Sequence, residues 1–157
     1  MVTAGELDPT AATMLACLLV EAGLPTTIDA LGNALATITS RPVDLDAAID
    51  EVLRTASPIQ QFARYATADV VVGDVTIAAG EQVVLWFGAA NRDPRRGASG
   101  HVAFGAGPHR CLGAMFAREI LRGVLGAWFA RVPQHTAHGE RRASSYLWGY
   151  ASLQITI

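Results

Sequence analysis

The chain has 157 residues, 51% of them apolar, with 12 Lys and Arg against 14 Asp and Glu for a net charge of −2. That length fits one globular domain able to bury roughly two-thirds of its unfolded surface, and the scattered arginines make no basic stripe, which argues against a nucleic-acid partner. The two cysteines, Cys17 and Cys111, lie in segments that read as intracellular and give no disulfide framework.

In chain order, Glu6 and Asp8 stand where a signal peptide would be basic, and the apolar run from Ala11 to Val20 is shorter than the roughly 20 residues that cross a bilayer. A soluble, cytoplasmic chain without a membrane span is expected. Apolar residues at spacings of three and four, from Met14 through Leu18, Ile28, Leu31 and Leu35 to Ile38, predict a helix from about Pro9 to Thr39, apolar on most faces. Cys17 is an inert residue of it. Gly23-Leu24-Pro25 predicts a kink or break, because proline removes a donor and crowds the carbonyl four residues back. Asp44 or Asp46 can cap a second helix through about Thr55, closed by Ser57-Pro58. From Gln60 to Leu85, valine-rich runs separated by Gly73-Asp74 and Ala79-Gly80 predict a small antiparallel sheet. Ala89 to Gly100 reads as a loop, Leu112 to Val132 as a strong helix, Pro133 to Arg142 as a polar link, and Tyr146 to Ile157 as a terminal strand or hairpin. The fold class is mainly α with a small antiparallel sheet (α+β).

The stretch Val102-Ala103-Phe104-Gly105-Ala106-Gly107-Pro108-His109-Arg110-Cys111-Leu112-Gly113 carries the most chemistry. It presents one cysteine at the exit of a glycine-bearing loop, directly before an apolar helix, which is the arrangement of a haem-thiolate ligand loop. Gly105 and Gly107 allow strained turns and close approach of backbone to a flat macrocycle. The positive end of the following helix favours a metal-bound thiolate at Cys111. A lone cysteine after glycines is otherwise a buried apolar residue. His135-x-x-His138 has metal-ligand spacing but no third ligand, so a solvated loop is expected there.

Phe104, Gly105, Gly107, His109, Cys111 and Gly113 together resemble the signature of the cytochrome P-450 family, in its bacterial soluble type. The resemblance implies haem b (iron protoporphyrin IX) with Cys111 as axial ligand, Phe104 beside the sulfur, and His109 and Arg110 facing a haem propionate. It also assigns Arg64 of Phe62-Ala63-Arg64 to a propionate, for which a planar guanidinium is suited. Glu51-Val52-Leu53-Arg54 matches the family's Glu-x-x-Arg pair, which locks the ligand loop, although such pairs are also common surface decoration. Asn91, within Ala89-Ala90-Asn91-Arg92-Asp93-Pro94, joins that scaffold by the same resemblance. Ala22-Gly23-x-x-Thr26-Thr27 is similar to the oxygen-activation helix, which makes Thr26 the catalytic hydroxyl.

Three departures stand out. Pro25 replaces the acid that precedes Thr26 in the family, with Glu21 and Asp29, both expected to be solvated, as the neighbouring carboxylates. The segment between Asn91 and the cysteine loop is short, leaving Arg95 or Arg96 to complete the Glu51–Arg54 network, or leaving it incomplete. The whole chain corresponds to the C-terminal half of family members, as a single truncated haem-binding domain. The implied activity is monooxygenation of a small organic substrate with electrons from a ferredoxin or flavoprotein. The alternatives are a non-catalytic protein whose exposed apolar faces meet a protein partner or an oligomer, and a remnant without function.

Overall fold

The computed structural model describes residues 8–96 and 100–157. Helix α1 spans Pro9–Thr37, and its first turn is capped by the Asp8 carboxylate, which accepts from the amides of Thr10 and Ala11. The expected break at Pro25 does not occur: the helix runs through it. A proline deletes only one intrahelical donor, and the adjacent Thr26 hydroxyl bonds back to the Ala22 carbonyl at 2.6 Å, so the turn keeps side-chain support. Helix α2 spans Leu45–Ala56, and Asp44 caps it through the Ala47 amide at 3.0 Å.

Four short strands follow, β1 (Phe62–Tyr65), β2 (Val70–Val72), β3 (Val75–Ile77) and β4 (Gln82–Leu85). They form two antiparallel ladders instead of one sheet, β2 pairing β3 across the Gly73 turn and β1 pairing β4 outside them with Phe62 opposite Leu85. The segment expected as a loop from Ala89 to Gly100 begins inside helix α3 (Phe87–Arg92) and holds a 3-10 turn at Pro94–Arg96. Helix α4 spans Ala114–Arg131, starting two residues later than expected. The expected polar link holds strand β5 (Thr136–Arg141), which pairs antiparallel with β6 (Tyr150–Thr156). Its polar sequence hides it, because its partner and α1, not its own propensity, fix its conformation.

The core lies where α1, α2 and α4 meet. Ala30, Ala34, Ile49, Val52, Leu53, Leu121, Leu125 and Phe129 form its buried cluster, at helical spacings of three and four on each helix. Two carboxylate–guanidinium pairs cross from α2 to α4, Asp46 with Arg122 at 2.7 Å and Asp50 with Arg118. Each pair is one turn from the other on both helices, so they fix an antiparallel register. Being solvent-exposed, they add little stability.

A polar layer joins α1 to the β5–β6 hairpin. Asn33, fully buried, donates to the carbonyls of Ala56 and Trp148 and accepts from Arg141 at 2.8 Å. Asp29, expected in solvent, is buried too and pairs with Arg142 at 2.9 Å. Burial raises its pKa, and the Arg142 charge opposes that rise.

Among the described residues, the N-terminal half of α1 leaves most of its apolar side chains uncovered. Met14, Leu18, Val20 and Leu24 are all more than half exposed. The accessible surface totals 10721 Å², against about 7,600 Å² from the scaling for a compact protein of this mass. By length and composition α1 is also sufficient to cross a bilayer, well beyond the short run read from Ala11 to Val20. Its last three turns, however, carry Asp29 and Asn33 into the protein core.

Candidate functional site

Cys111 sits on a loop tied by its own backbone. The Cys111 amide donates to the Phe104 carbonyl at 2.8 Å, the Gly105 amide to Val102 at 2.9 Å, and the Arg110 amide to Gly107 at 3.1 Å. These bonds bend the chain so tightly that Gly105 and Gly107 take φ of +68° and +66°, a region where a side chain is strained. A short 3-10 turn at Gly107–His109 completes the loop. The thiol of Cys111 is exposed and free, and Leu112, Met115 and Phe116 next to it are exposed as well. Gly113 lies close to the sulfur, since a β-carbon there would be 3.9 Å from Sγ, and it opens α4 without a side-chain cap.

The loop is anchored from α2 through Asn91. Arg54 grips Glu51 with both Nε and Nη2, at 2.8 and 2.6 Å, and its Nη1 donates to the Asn91 carbonyl at 2.9 Å. The buried Asn91 side chain in turn accepts from the Val102 amide at 2.7 Å through Oδ1. A continuous path therefore runs from Glu51 to the start of the cysteine loop. The guanidinium beside Glu51 holds its carboxyl below the usual range. Glu51 remains more than half exposed, so the pair is no buried ion pair. Arg95 does not complete this path: it folds onto Asp93, at 2.6 Å, and holds that carboxyl down at about 2. Arg96 donates through Nε to the Gly100 carbonyl. Arg92 instead reaches the Thr55 carbonyl at the end of α2.

Other expected site residues lie apart from the loop. Arg64 is exposed on β1, stacked 5.5 Å over Phe62 and bonded to the Ala63 carbonyl. Thr26 uses its hydroxyl proton on Ala22. Among the described residues, neither bonds to the Cys111 loop. His109 and Arg110 are exposed. Arg110 borders a cavity of about 400 Å³ that Asp50, His101, Phe104 and Arg118 also line. His135, expected in a solvated loop, is buried: its Nδ1 accepts from the Trp128 indole at 3.2 Å and its Nε2 faces the Leu35 carbonyl at 2.7 Å. Both ring nitrogens are thus engaged, and no cluster of metal-ligating side chains occurs among the described residues.

Sequence reasoning missed His101, Asp50 and Arg118. His101 contacts Arg118 at 3.1 Å and lies 3.7 Å from the Asp50 carboxylate, while Arg118 stacks 5.4 Å from the Phe104 ring. The available signal was a lone histidine at the entry to the apolar run Val102-Ala103-Phe104.

The family model for cytochrome P-450 matches residues 34–96. A cytochrome P-450 of Rhodopseudomonas palustris is 35% identical across 98% of the chain, and cytochrome P-450 140 of Mycobacterium tuberculosis is 37% identical across 97%. The chain belongs to the cytochrome P-450 family. The solved structure of substrate-free CYP109E1 from Bacillus megaterium superposes on 99% of the P-450 chain with a TM-score of 0.90 at 29% identity. The fold is therefore part of the P-450 fold. The chain spans 40 to 43% of the length of those two curated relatives and 47% of the solved one.

Family membership implies a haem cofactor, and the residues present suit one. A free exposed thiol stands at the end of a loop whose glycines leave the backbone bare, beside apolar side chains that water now meets and a flat apolar macrocycle would cover.

Proposed function

We propose that the chain is a haem-thiolate protein, with Cys111 as the axial ligand of haem b and monooxygenation of a small organic substrate as its activity. The observation that carries this reading is the free Cys111 thiol on a glycine-strained loop, held from α2 through Asn91 and followed by α4. Thiolate-ligated haem iron receives electron density from the sulfur, which favours cleavage of the O–O bond. Around it, Phe104, Gly105, Gly107 and Gly113 shape the loop, while His109, Arg110 and Arg64 are exposed cations or donors suited to propionate carboxylates. Thr26 on α1 is the hydroxyl for proton delivery. Electrons come from a ferredoxin or flavoprotein, and the site of action is the cytoplasm. A relative from Pseudonocardia autotrophica, 37% identical across 76% of the chain, is a vitamin D(3) 25-hydroxylase, which supports hydroxylation as the reaction class.

The test is haemin titration of the purified chain. The ferrous carbon monoxide adduct is expected to show a red-shifted, thiolate-type Soret band that disappears in Cys111→Ala. Absence of uptake, or an unchanged spectrum in the variant, refutes the assignment.

A second reading is favoured by a specific observation. The surface is roughly 3,000 Å² larger than that of a compact protein of this mass, and much of α1 is bare apolar helix. A non-catalytic role, with that face covered by a protein partner or a second copy, accounts for the same surface without requiring turnover.

A further inference from the structure

We infer that His101 is a positioning residue for the Cys111 loop, holding the Ala103 amide directly and, through Phe104, the backbone of Cys111, from a clamp made by Asp50 of α2 and Arg118 of α4. The inference deepens the haem-thiolate reading and rests on it for its effect at the ligand, while the clamp itself is a property of the free chain.

The His101 side chain is 8% exposed. Its Nδ1 accepts from the Ala103 amide at 3.2 Å. A neutral imidazole has one N–H, so in the tautomer that makes this bond the proton sits on Nε2, the nitrogen 3.7 Å from the Asp50 carboxylate. Arg118 is paired with the same carboxylate, and its Nη2, a donor only, lies 3.1 Å from Nε2, where it bonds the ring only in the tautomer that carries its proton on Nδ1. Phe104, the residue after Ala103, lies with its ring 6.0 Å from the imidazole and 5.4 Å from the Arg118 guanidinium. Its carbonyl is the acceptor for the Cys111 amide. Displacement of the imidazole therefore moves the acceptor that fixes the cysteine backbone. Asn91 holds Val102 and His101 holds Ala103, so two independent anchors grip consecutive amides of the same strand of loop.

The clamp responds to acid. The charged groups facing the ring are Asp50 of α2, Arg118 of α4 and Arg96 of the 3-10 turn. Burial, then Arg118, push His101 below its ordinary 6.5, with Asp50 opposing. Protonation adds a proton at Nδ1, where the Ala103 N–H already points, and replaces a hydrogen bond by a contact between two donors. The folded state thus prefers the neutral ring. Its contribution is complete above the unfolded value of 6.5 and is lost as the pH falls through the depressed folded value.

The experiment compares the native chain, His101→Asn and His101→Phe. The amide oxygen of Asn takes the place of Nδ1 and does not titrate, whereas Phe keeps the ring and removes the acceptor. Hydrogen-exchange protection factors are read at Ala103, Cys111, Leu121 and Leu125 between pH 5 and 7.5, with the thiolate-type fraction of the haemin-loaded ferrous carbon monoxide adduct as a second readout. His101→Phe is expected to lower protection at Ala103 and Cys111 about tenfold at pH 7.5, the scale of one hydrogen bond, and to reduce the thiolate fraction, with Leu121 and Leu125 unchanged. His101→Asn is expected to restore both and to abolish the loss of protection that the native chain shows on acidification. Unchanged protection in His101→Phe, equal losses in both variants, or equal losses at Leu121 and Leu125 overturn the inference. A native chain that takes up no haem refutes the haem-thiolate reading alone, and the exchange data still decide the clamp.

Discussion

Gly149→Ala probes the polar layer that fastens the terminal hairpin to α1. A methyl at this position overlaps the Oδ1 and Cγ atoms of Asp29 and stands 2.9 Å from its Cβ. Asp29 cannot yield easily, because it is buried on a helix and its Oδ1 is held by Arg142 at 2.9 Å. Overpacking of this kind costs about 1–3 kcal/mol. For a chain of this length, that is a fall in Tm of roughly 2–12 °C at about 2–4 °C per kcal/mol. In an Asp29→Ala background only the Cβ contact survives, so the same glycine substitution loses at least half of its cost. The two positions should then show a coupling energy of about 1 kcal/mol in a double-mutant cycle by urea or thermal unfolding. Additivity within about 0.5 kcal/mol refutes the overlap and the packing of the hairpin against α1 that it implies.

The replacement of an acid by Pro25 should limit turnover driven by an electron donor, since a positioned proton-transfer group is commonly worth about 100-fold to 10,000-fold. Product formation with peroxide is expected to exceed that with a ferredoxin system, and Pro25→Glu to narrow the gap; efficient coupled turnover in the native chain contradicts this. Leu125→Ala removes a side chain with no exposed surface at the centre of the helical core and should cost about 2–5 kcal/mol, read as a shift in the denaturation midpoint; a loss below about 1 kcal/mol argues against the packing described. Asp29 has a raised pKa, so its contribution to stability is greatest below 3.8 and is lost as the pH rises through the folded value. Asp29→Asn removes that step, and the Tm difference from the native chain should therefore change with pH above 3.8; a constant difference across pH 4 to 7 rejects it.

Local signals were read well where the cause is local. Asp44 caps α2 because an Asx side chain reaches an amide three residues on, and the Gly73 turn is fixed by its own backbone. Glu51 and Arg54 face each other because helical spacing brings them together. The remainder depends on partners distant in the chain. Strand β5 has the polar sequence Thr136-Ala137-His138-Gly139-Glu140-Arg141, and only its pairing with β6 makes it extended. His135 finds its second partner in Leu35, one hundred residues earlier. Asn91 was legible as a scaffold residue, but its carbonyl, the acceptor for Arg54, belongs to every residue alike and carries no sequence signature. The break expected at Pro25 is absent where the neighbouring Thr26 hydroxyl supports the same turn through the Ala22 carbonyl, a backbone-directed bond that apolar periodicity does not reveal.

The bonds between α1 and the terminal hairpin also set an order of events during synthesis. Asp29 meets Arg142 across 113 residues, and Asn33 meets Trp148 across 115. A ribosome adding about 5–20 residues per second needs roughly 6 to 23 s to bridge the first of these separations. Throughout that interval α1 is already made, has the composition to form helix at once, and lacks the arginines that neutralise and cover its buried face. Contacts of such high order cannot nucleate early, because closing so long a loop is entropically costly before any reward is collected. The nascent chain therefore carries Asp29 and Asn33 without their partners for many seconds, which makes the last three turns of α1 the part of the helix whose exposure to holdase chaperones ends only when the hairpin arrives.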